Sequence, residues 1–182
     1  AQSWTVLKSN TDSTLYNVFF LNDNTGYACG VNGIVLKTTD AGLNWTLQNT
    51  GTTYGFACIQ FVDENYGYAS GGFAGGSQLN CKLIKTMNGG ANWDNIDVAP
   101  GKCAGGSWFI SRDTGFVAYA ESLYGGSTIV KTTNGGSTWT PVYTGTGWIS
   151  YFHFIDSKNG YATVNGGKIL KTTDGGNNWT TL

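Results

Sequence analysis

The side chains that could perform acid–base chemistry are a single histidine, a single arginine and eleven carboxylates. Hydrolysis of a glycoside needs two carboxyl groups that face one cleft. His153 lies between two phenylalanines, a setting that favours a hydrogen-bonded core or channel residue over a general base. No Ser/His/Asp arrangement, phosphate loop or dinucleotide fingerprint is present, and most of the acids lie in turn-like segments (Asp12, Asp23, Asp63, Glu64, Asp94, Asp97, Asp113, Glu121 and Asp156). We therefore predict that the chain is not an enzyme.

The thiol inventory consists of Cys29, Cys58, Cys81 and Cys103. Zinc sites usually combine CxxC pairs with further cysteines or histidines, and this spacing does not occur here. No metal and no cofactor is therefore predicted. In a secreted protein the cysteines would form a disulfide framework, whereas in a reducing compartment they would be small buried hydrophobic residues.

A ten-residue motif that occurs four times organises the rest of the chain. Its copies cover residues 37–46 (KTTDAGLNWT), 85–94 (KTMNGGANWD), 131–140 (KTTNGGSTWT) and 171–180 (KTTDGGNNWT). The tryptophans of successive copies are 48, 46 and 40 residues apart. A period of this size is typical of one four-stranded propeller blade per repeat, with insertions in the loops of one face.

Each copy of the motif has the composition of a β-hairpin. The preceding β-branched, apolar run suits a buried strand, and the Asp or Asn side chain can accept hydrogen bonds from the N–H groups that follow it. A glycine can then adopt positive φ, and the tryptophan folds back as an apolar plug. The predicted structural residues are Thr38, Asp40, Gly42, Trp45, Thr86, Asn88, Gly90, Trp93, Thr132, Asn134, Gly136, Trp139, Thr172, Asp174, Gly176 and Trp179.

The motif resembles the Asp-box of the BNR (bacterial neuraminidase) repeat, Ser/Thr-x-Asp-x-Gly-x-x-Trp. The first and last copies match this pattern fully, and the middle copies carry Asn88 and Asn134 in place of aspartate. The flanking residues 24–28 (NTGYA) and 33–40 (GIVLKTTD) look like the repeats of the photosystem II assembly and stability factor group. The resemblance implies a β-propeller, a fold that serves many functions. Sialidases hold the substrate carboxylate with several arginines, so a chain with only Arg112 is not expected to be one.

We therefore predict an all-β fold, a β-propeller of four Asp-box blades in one domain. The repeats cover approximately residues 9–50, 51–98, 99–144 and 145–182, with an outer strand at residues 4–8, whose sequence WTVLK resembles the end of each box. That strand is expected to complete the last blade, because propellers commonly close through a terminus. The ring would be closed by four blades, be part of a larger ring, or be shared by two chains as a homo-oligomer through the terminal strands.

The ligand-binding face is predicted at the end of the blades where second strands connect to third strands. Residues 71–80 and 121–127 are the longest insertions there, and the inner strands start at the same end. Aromatic side chains exposed beside Asn, Gln and Gly are typical of sugar-binding platforms, whereas the same side chains buried would be core. The candidate residues are Trp148, Tyr54, Trp108, Tyr124, Phe73 and Tyr16.

The same blade template suggests how the cysteines would pair. Cys81 at the start of a third strand and Cys103 at the start of the next inner strand share one end of the fold. A Cys81–Cys103 disulfide is therefore the first choice, and a Cys29–Cys58 disulfide follows by elimination.

One lysine recurs at the start of every box, at Lys37, Lys85, Lys131 and Lys171. A closed ring would arrange these ammonium groups in rotational symmetry, where they could meet an anionic partner. The favoured interpretation is that each lysine keeps a strand edge soluble.

Composition limits the partners and the compartment. A net charge of −1 with 12% charged residues predicts neither nucleic acid nor an anionic membrane as partner. No apolar run is long enough for a membrane-spanning helix, so no membrane insertion is expected. The start Ala1-Gln2-Ser3 would fit cleavage of a secretory signal, so we expect an extracellular or cell-surface protein.

These features together predict a non-enzymatic recognition module that binds carbohydrate through the aromatic loop face. The alternative is a protein-binding scaffold or assembly factor. The resemblance to photosystem assembly factors implies a basic contact surface for that role, which this near-neutral chain does not show. A fragment of an Asp-box glycosidase is the second alternative.

Overall fold

The computed structural model describes residues 5–73, 79–99, 102–120 and 125–182, which form four antiparallel sheets of four strands. Within each sheet the strands are hydrogen-bonded in chain order, so each sheet is one blade. Blade 1 contains β1 (Leu15–Phe20), β2 (Gly26–Gly30), β3 (Val35–Thr38) and β4 (Thr46–Gln48), and blade 2 contains β5 (Gly55–Phe61), β6 (Gly67–Phe73), β7 (Leu79–Thr86) and β8 (Asp94–Ala99). Blade 3 contains β9 (Cys103–Phe109), β10 (Gly115–Ala120), β11 (Ser127–Thr132) and β12 (Thr140–Gly145), and blade 4 contains β13 (Ile149–Phe154), β14 (Gly160–Val164), β15 (Lys168–Thr172) and β16 (Thr180–Thr181).

The predicted all-β propeller of four blades is confirmed. A short 3-10 turn (Val31–Gly33) joins β2 to β3. Among the described residues, no helix is long and apolar enough to cross a membrane.

A phenylalanine at the end of each inner strand explains the glycine that begins the second strand. In blade 3, for example, Phe109 pairs with Gly115 across the turn. A Cβ atom placed on Gly115 would lie only 2.2 Å from the Phe109 ring, so no larger residue fits beneath it. The ring is thereby held against the sheet and points towards the preceding blade.

The core consists of three apolar clusters, each between two successive blades. The first joins Tyr27, Cys29 and Val35 of blade 1 to blade 2, the second joins Tyr68 and Leu83 of blade 2 to blade 3, and the third joins Phe116, Ala118 and Ile129 of blade 3 to blade 4. A stacked pair of aromatic rings recurs in each cluster, with ring centroids 3.6 Å apart for Tyr27 and Phe61, 3.4 Å for Tyr68 and Phe109, and 4.9 Å for Phe116 and Phe154.

Two blade faces are left outside these clusters. We call the face of blade 1 with Val18, Phe20 and Trp45 the leading face, and the face of blade 4 with Tyr161, Ile169 and Lys171 the trailing face. Val18 is 59% exposed and Phe20 44%, whereas Ile59 and Phe61 at the same positions of blade 2 are 2% and 3% exposed. Ile169 is 44% exposed, and its counterpart Val35 is fully buried. Within the described part of the chain, no buried cluster joins blade 4 to blade 1.

The predicted outer strand at residues 4–8 is not formed over its described part, residues 5–8. A strand needs a hydrogen-bonded neighbour, and the third strand of blade 4 is already paired with β16. The segment lies instead along the leading face, where Leu7 approaches Gly42 and the Asn10 amide donates a hydrogen bond to the carbonyl oxygen of Trp45 at 3.5 Å. Trp4 lies outside the described residues.

Candidate functional site

The four boxes are closed hydrogen-bonded turns. In the first box the amide N–H of Gly42 donates to Thr38 Oγ1 at 2.9 Å, and the amide N–H of Asn44 donates to Asp40 Oδ1 at 2.9 Å. In the second box Thr86 Oγ1 and Asn88 Oδ1 accept the corresponding bonds, both at 2.9 Å. Asparagine can replace aspartate in this bond, because one side-chain oxygen is enough to accept it. The side-chain oxygens of the Thr and of the Asp or Asn in these boxes are thus occupied by their own turns.

Aspartate differs from asparagine in its response to pH. Hydrogen bonds from the side chain and backbone of Asn178 and from the Thr172 hydroxyl lower the pKa of Asp174 to about 2. Those from Asn44 and from the Thr38 hydroxyl likewise lower the pKa of Asp40. These bonds favour the charged form of the carboxyl group. Both carboxylates are therefore ionised structural acceptors.

The recurring lysines connect neighbouring blades. Lys37 Nζ donates to the carbonyl oxygen of Gly89 in the next box at 2.8 Å, and Lys131 Nζ donates to that of Gly175 at 2.8 Å. Lys85 makes the equivalent bond to Gly135 at 3.4 Å. These three lysines therefore hold blades together, a role that the solubility and anion-ring interpretations missed. Their regular recurrence was the available signal, but the accepting carbonyls lie 44 to 52 residues away.

Three of the candidate ligand-binding residues lie at the end of the blades opposite the boxes. Tyr16 is exposed in β1, while Tyr54 and Trp148 are half-buried immediately before β5 and β13. The Lys82 ammonium group lies 5.4 Å from the centroid of the Tyr54 ring. Tyr124 and the side chain of Phe73 lie outside the described residues. A binding role for this set stays a prediction.

Trp108 lies near the other end of its strand, close to the boxes. It lines a groove of about 430 Å³ that crosses blades 2, 3 and 4, which we call the box-end groove. The edge of the indole ring meets the ring of His153, with centroids 5.2 Å apart. His153 is itself exposed, so it is not a core residue, and the other predicted setting, a channel residue, stays a prediction. The groove is lined by Gln60, Phe61, Val62, Trp108, Phe109, Ile110, Phe154, Asp156 and Ser157.

Some polar groups of the box-end groove are already hydrogen-bonded within the protein, and others are exposed to solvent. Gln60 Nε2 donates to the carbonyl oxygen of Phe109 at 2.9 Å, and Gln60 Oε1 accepts from the Phe109 amide at 2.8 Å, so this side chain is occupied. Asp156 and Ser157 are exposed at the rim. Hydrogen bonds from the Asn159 side chain and backbone lower the pKa of Asp156, which is therefore charged at neutral pH. The groove thus offers an apolar floor and one anionic rim group. No sequence pattern indicated the box-end groove, because its lining residues come from three blades that are distant in the chain.

The described residues provide no cluster of metal ligands. They contain no group of three or more His, Cys, Asp and Glu side chains that could hold a metal ion. Arg112 Nε contacts Asp63 Oδ2 at 2.6 Å between two turns and is more than half exposed, so the single arginine is engaged in a surface ion pair.

The cysteines also act between blades. Cys29 Sγ donates to the carbonyl oxygen of Phe56 at 3.3 Å, and Cys58 Sγ donates to that of Ser107 at 3.5 Å. Burial raises the pKa of both thiols. The Cys29–Cys58 disulfide inferred by elimination is not formed in this structure, where both thiols are free and each donates to a carbonyl oxygen of the following blade. The side chain of Cys103 is outside the described residues, so a Cys81–Cys103 disulfide stays a prediction.

Comparison with known proteins identifies the family. The family model of the photosynthesis system II assembly factor YCF48 matches residues 1–150. The chain belongs to this family. No curated protein matches its sequence.

Several solved propellers have a similar fold to this YCF48 family member. YCF48 from Cyanidioschyzon merolae aligns with 20% identity and a TM-score of 0.71 over 99% of this chain and 59% of its own. A structure of YCF48 bound to a D1 peptide aligns with 17% identity and a TM-score of 0.64, over 99% of this chain and 70% of its own. An ancestral GH74 enzyme aligns with 18% identity and a TM-score of 0.73 over 98% of this chain. The chain spans only 25% of that enzyme's length.

Proposed function

We propose that this protein is a non-enzymatic, protein-binding module of the assembly-factor type, which holds a polypeptide segment in the box-end groove. The observation that carries this proposal is membership of the YCF48 family over residues 1–150. A propeller of similar fold, YCF48, has been solved with a D1 peptide bound. Both findings favour a polypeptide ligand over the carbohydrate that the aromatic content suggested.

The box-end groove has the chemistry for a short polypeptide segment. Val62, Trp108 and Ile110 are half-buried, so each presents part of its apolar surface to the groove. A volume of about 430 Å³ suits a few side chains of a ligand, and specific sites combine such apolar walls with a small number of polar groups. The floor would bury one or two apolar side chains of the segment.

The rim adds a charge preference. Asp156 is exposed and ionised, and the single arginine of the chain, Arg112, is already paired with Asp63. A lysine, an arginine or an amino terminus of the bound segment would therefore be attracted to Asp156. We expect the preferred segment to place a basic residue beside its apolar anchor, and binding to weaken as salt screens the rim charge.

Carbohydrate binding at the opposite end of the blades is the second candidate. Exposed Tyr16 and half-buried Trp148 favour it, because part of each aromatic ring faces solvent there. The two candidates use opposite ends of the blades, so substitutions separate them.

The test is a peptide array of apolar–basic segments, followed by fluorescence anisotropy with the best binder. Ile110→Glu places a charge in the groove and should weaken binding at least about tenfold, because an unpaired carboxylate would face an apolar anchor. The matched control is Leu21→Glu, which lies at the same strand position in blade 1 and outside the groove. Equal affinity of the Ile110→Glu protein would contradict the groove assignment.

A glycan array on the same protein tests the second candidate. Saturable binding that free sugar abolishes, and that Trp148→Ala removes while Ile110→Glu does not, would replace peptide recognition with carbohydrate recognition. Turnover of a chromogenic glycoside that a single carboxylate substitution abolishes would overturn the non-enzymatic assignment.

A further inference from the structure

The leading face of blade 1 has the composition of a buried blade face but no blade on it. It carries Val18, Phe20 and Trp45. The residues at the same positions of blade 2 are Ile59, Phe61 and Trp93, and these three are buried. A groove of about 380 Å³ runs along it, lined by residues that include Leu15, Val18 and Phe20. Exposed apolar patches of this kind usually mark interaction sites.

The trailing face of blade 4 carries the opposite half of the same interface. Tyr161 occupies the position of Tyr27 and Tyr68, whose rings stack on a phenylalanine of the next blade. Lys171 occupies the position of Lys37 and Lys131, and its ammonium group lies 5.8 Å from the centroid of the Tyr161 ring. Among the described residues, no box carbonyl accepts a hydrogen bond from Lys171.

Phe20 and Ala41 of the leading face provide the two groups that the trailing face lacks. Phe20 is the counterpart of Phe61 and Phe109, which receive the stacked tyrosines in the first two interfaces. The residue at the position of Gly89 and Gly175 in the first box is Ala41, whose backbone has positive φ as theirs does. A trailing face docked on a leading face would therefore stack Tyr161 on Phe20 and place Lys171 near the Ala41 carbonyl.

Leu7 makes a contact with the first box that a preceding blade makes elsewhere in the molecule. A Cβ atom placed on Gly42 would lie 3.2 Å from Leu7 Cδ1, just as one on Gly136 would lie 3.0 Å from Ile96 Cδ1 of β8 in the preceding blade. Leu7, Ile96 and Leu182 each follow a tryptophan by three residues. Leu182 is exposed at the edge of blade 4, and its amide donates to the carbonyl oxygen of Ile169 at 2.9 Å. On docking, Leu182 would take the place of Leu7 at Gly42.

We propose that the trailing face of one copy of this chain docks on the leading face of a second copy, as an additional blade-to-blade interface. The occupant is a second copy because this chain carries both halves of an interface that it builds three times within itself. If the rotation between blades closes, two copies share one eight-bladed ring, and if it does not, the copies form a longer chain. Either assembly buries both faces.

The test is the mass of the intact chain by sedimentation velocity and light scattering, from about 1 μM to about 1 mM, a range that covers weak association. Species of two or more copies that grow with concentration are expected. A single copy throughout this range would overturn the proposal and leave the faces to further blades of a longer polypeptide.

Paired charge substitutions identify the faces. Val18→Glu alters the leading face and Ile169→Lys alters the trailing face. In two internal interfaces the residues at these two positions lie in the same buried cluster, Ile59 with Val35 and Phe152 with Ile129. Each variant alone should associate at least about tenfold more weakly, because a charge would be buried unpaired. An equimolar mixture should recover association, because the introduced ammonium group of one variant then meets the introduced carboxylate of the other. Both substituted positions are exposed in the single copy, so folding should be unchanged.

Met87→Lys is the matched control, since Met87 is an exposed apolar residue on neither face. It should associate as the unmodified chain does. Association that either face variant leaves unchanged, or that Met87→Lys weakens equally, would show that another surface is used.

Discussion

The interface between blades 1 and 2 and the two terminal faces contain the same residue types at the same repeat positions, yet only the interface is buried. Phe61 stacks on Tyr27 with centroids 3.6 Å apart, whereas the one ring contact of Phe20 among the described residues is edge-on to Trp45 of its own blade, at 6.1 Å. An Asp-box blade therefore cannot bury its apolar faces alone, as expected for a repeat unit that depends on its neighbours. The difference shows that a neighbouring blade, and not the residue type, decides what each position contributes to stability.

The largest expected effect comes from deleting the stacked ring. Phe61→Ala should lower the free energy of unfolding by about 3–5 kcal/mol, the usual cost of a large cavity in a core. Phe20→Ala should lower it by about 1 kcal/mol or less, because half-exposed side chains lose little burial. Urea denaturation, at a concentration where light scattering shows single copies, measures both. Equal losses would mean that the leading face is covered in the single copy.

The next largest loss of stability is expected at Gln60, whose side-chain amide joins blade 2 to blade 3. Gln60→Ala removes both hydrogen bonds to the Phe109 backbone and should cost about 1–3 kcal/mol, because the backbone groups lose their partners. The matched control is His153→Ala, at the same strand position in blade 4, where about 0.5 kcal/mol is expected, as for other surface substitutions. The same denaturation experiment decides, and a similar cost at both positions would contradict a role for Gln60 as a connector.

A smaller difference is expected at the recurring lysine. Lys131 Nζ bonds to Gly175 O and to Asn177 Oδ1, both at 2.8 Å. Lys131→Met should cost about 1 kcal/mol, since the bonds are charge-assisted but partly solvated. Lys171→Met removes a lysine that makes no such bond to a box among the described residues, and it should be nearly neutral. If thermal denaturation gives the same shift for both, the lysines act through solubility and not by joining blades.

The smallest effect is expected in the pH dependence of stability, which differs between the terminal boxes with aspartate and the central boxes with asparagine. Asp174 has a pKa of about 2 in the folded protein, lowered from 3.8 by its hydrogen bonds. Its bonds therefore stabilise the fold fully above about pH 4, and this contribution is lost as pH falls towards 2. The Asn88 and Asn134 boxes have no such titration. Asp174→Asn should flatten the pH dependence of the urea midpoint between about pH 4 and 2, and an unchanged slope would mean that other acids cause it.

The sequence was sufficient to predict the blades because the hairpin of each box is local. Thr38, Asp40, Gly42 and Trp45 lie within eight residues, and their hydrogen bonds span two to four positions. The glycine that starts each second strand has a local cause as well, since the phenylalanine that ends the inner strand leaves no room for a larger residue. Residues 5–8 carry the same signal as a blade edge, but without a third strand to pair with they form no strand.

The candidate site was less accessible to this reasoning. Trp108 was grouped with Tyr54 and Trp148 because all three are aromatic, but position along the strand places it near the boxes, beside residues of blades 2 and 4. Gln60 gave no periodic signal at all, because the other blades have Phe19, Trp108 and His153 at its position.

The sequence by itself determined the all-β propeller, its four blades and the turn chemistry of every box, because these depend on contacts within about ten residues that repeat along the chain. Only the tertiary structure decided which lysines join blades, which aromatic side chains line the box-end groove and which two faces remain open. Those properties depend on atoms that are 44 to 52 residues apart in the chain and meet only when one blade packs against the next.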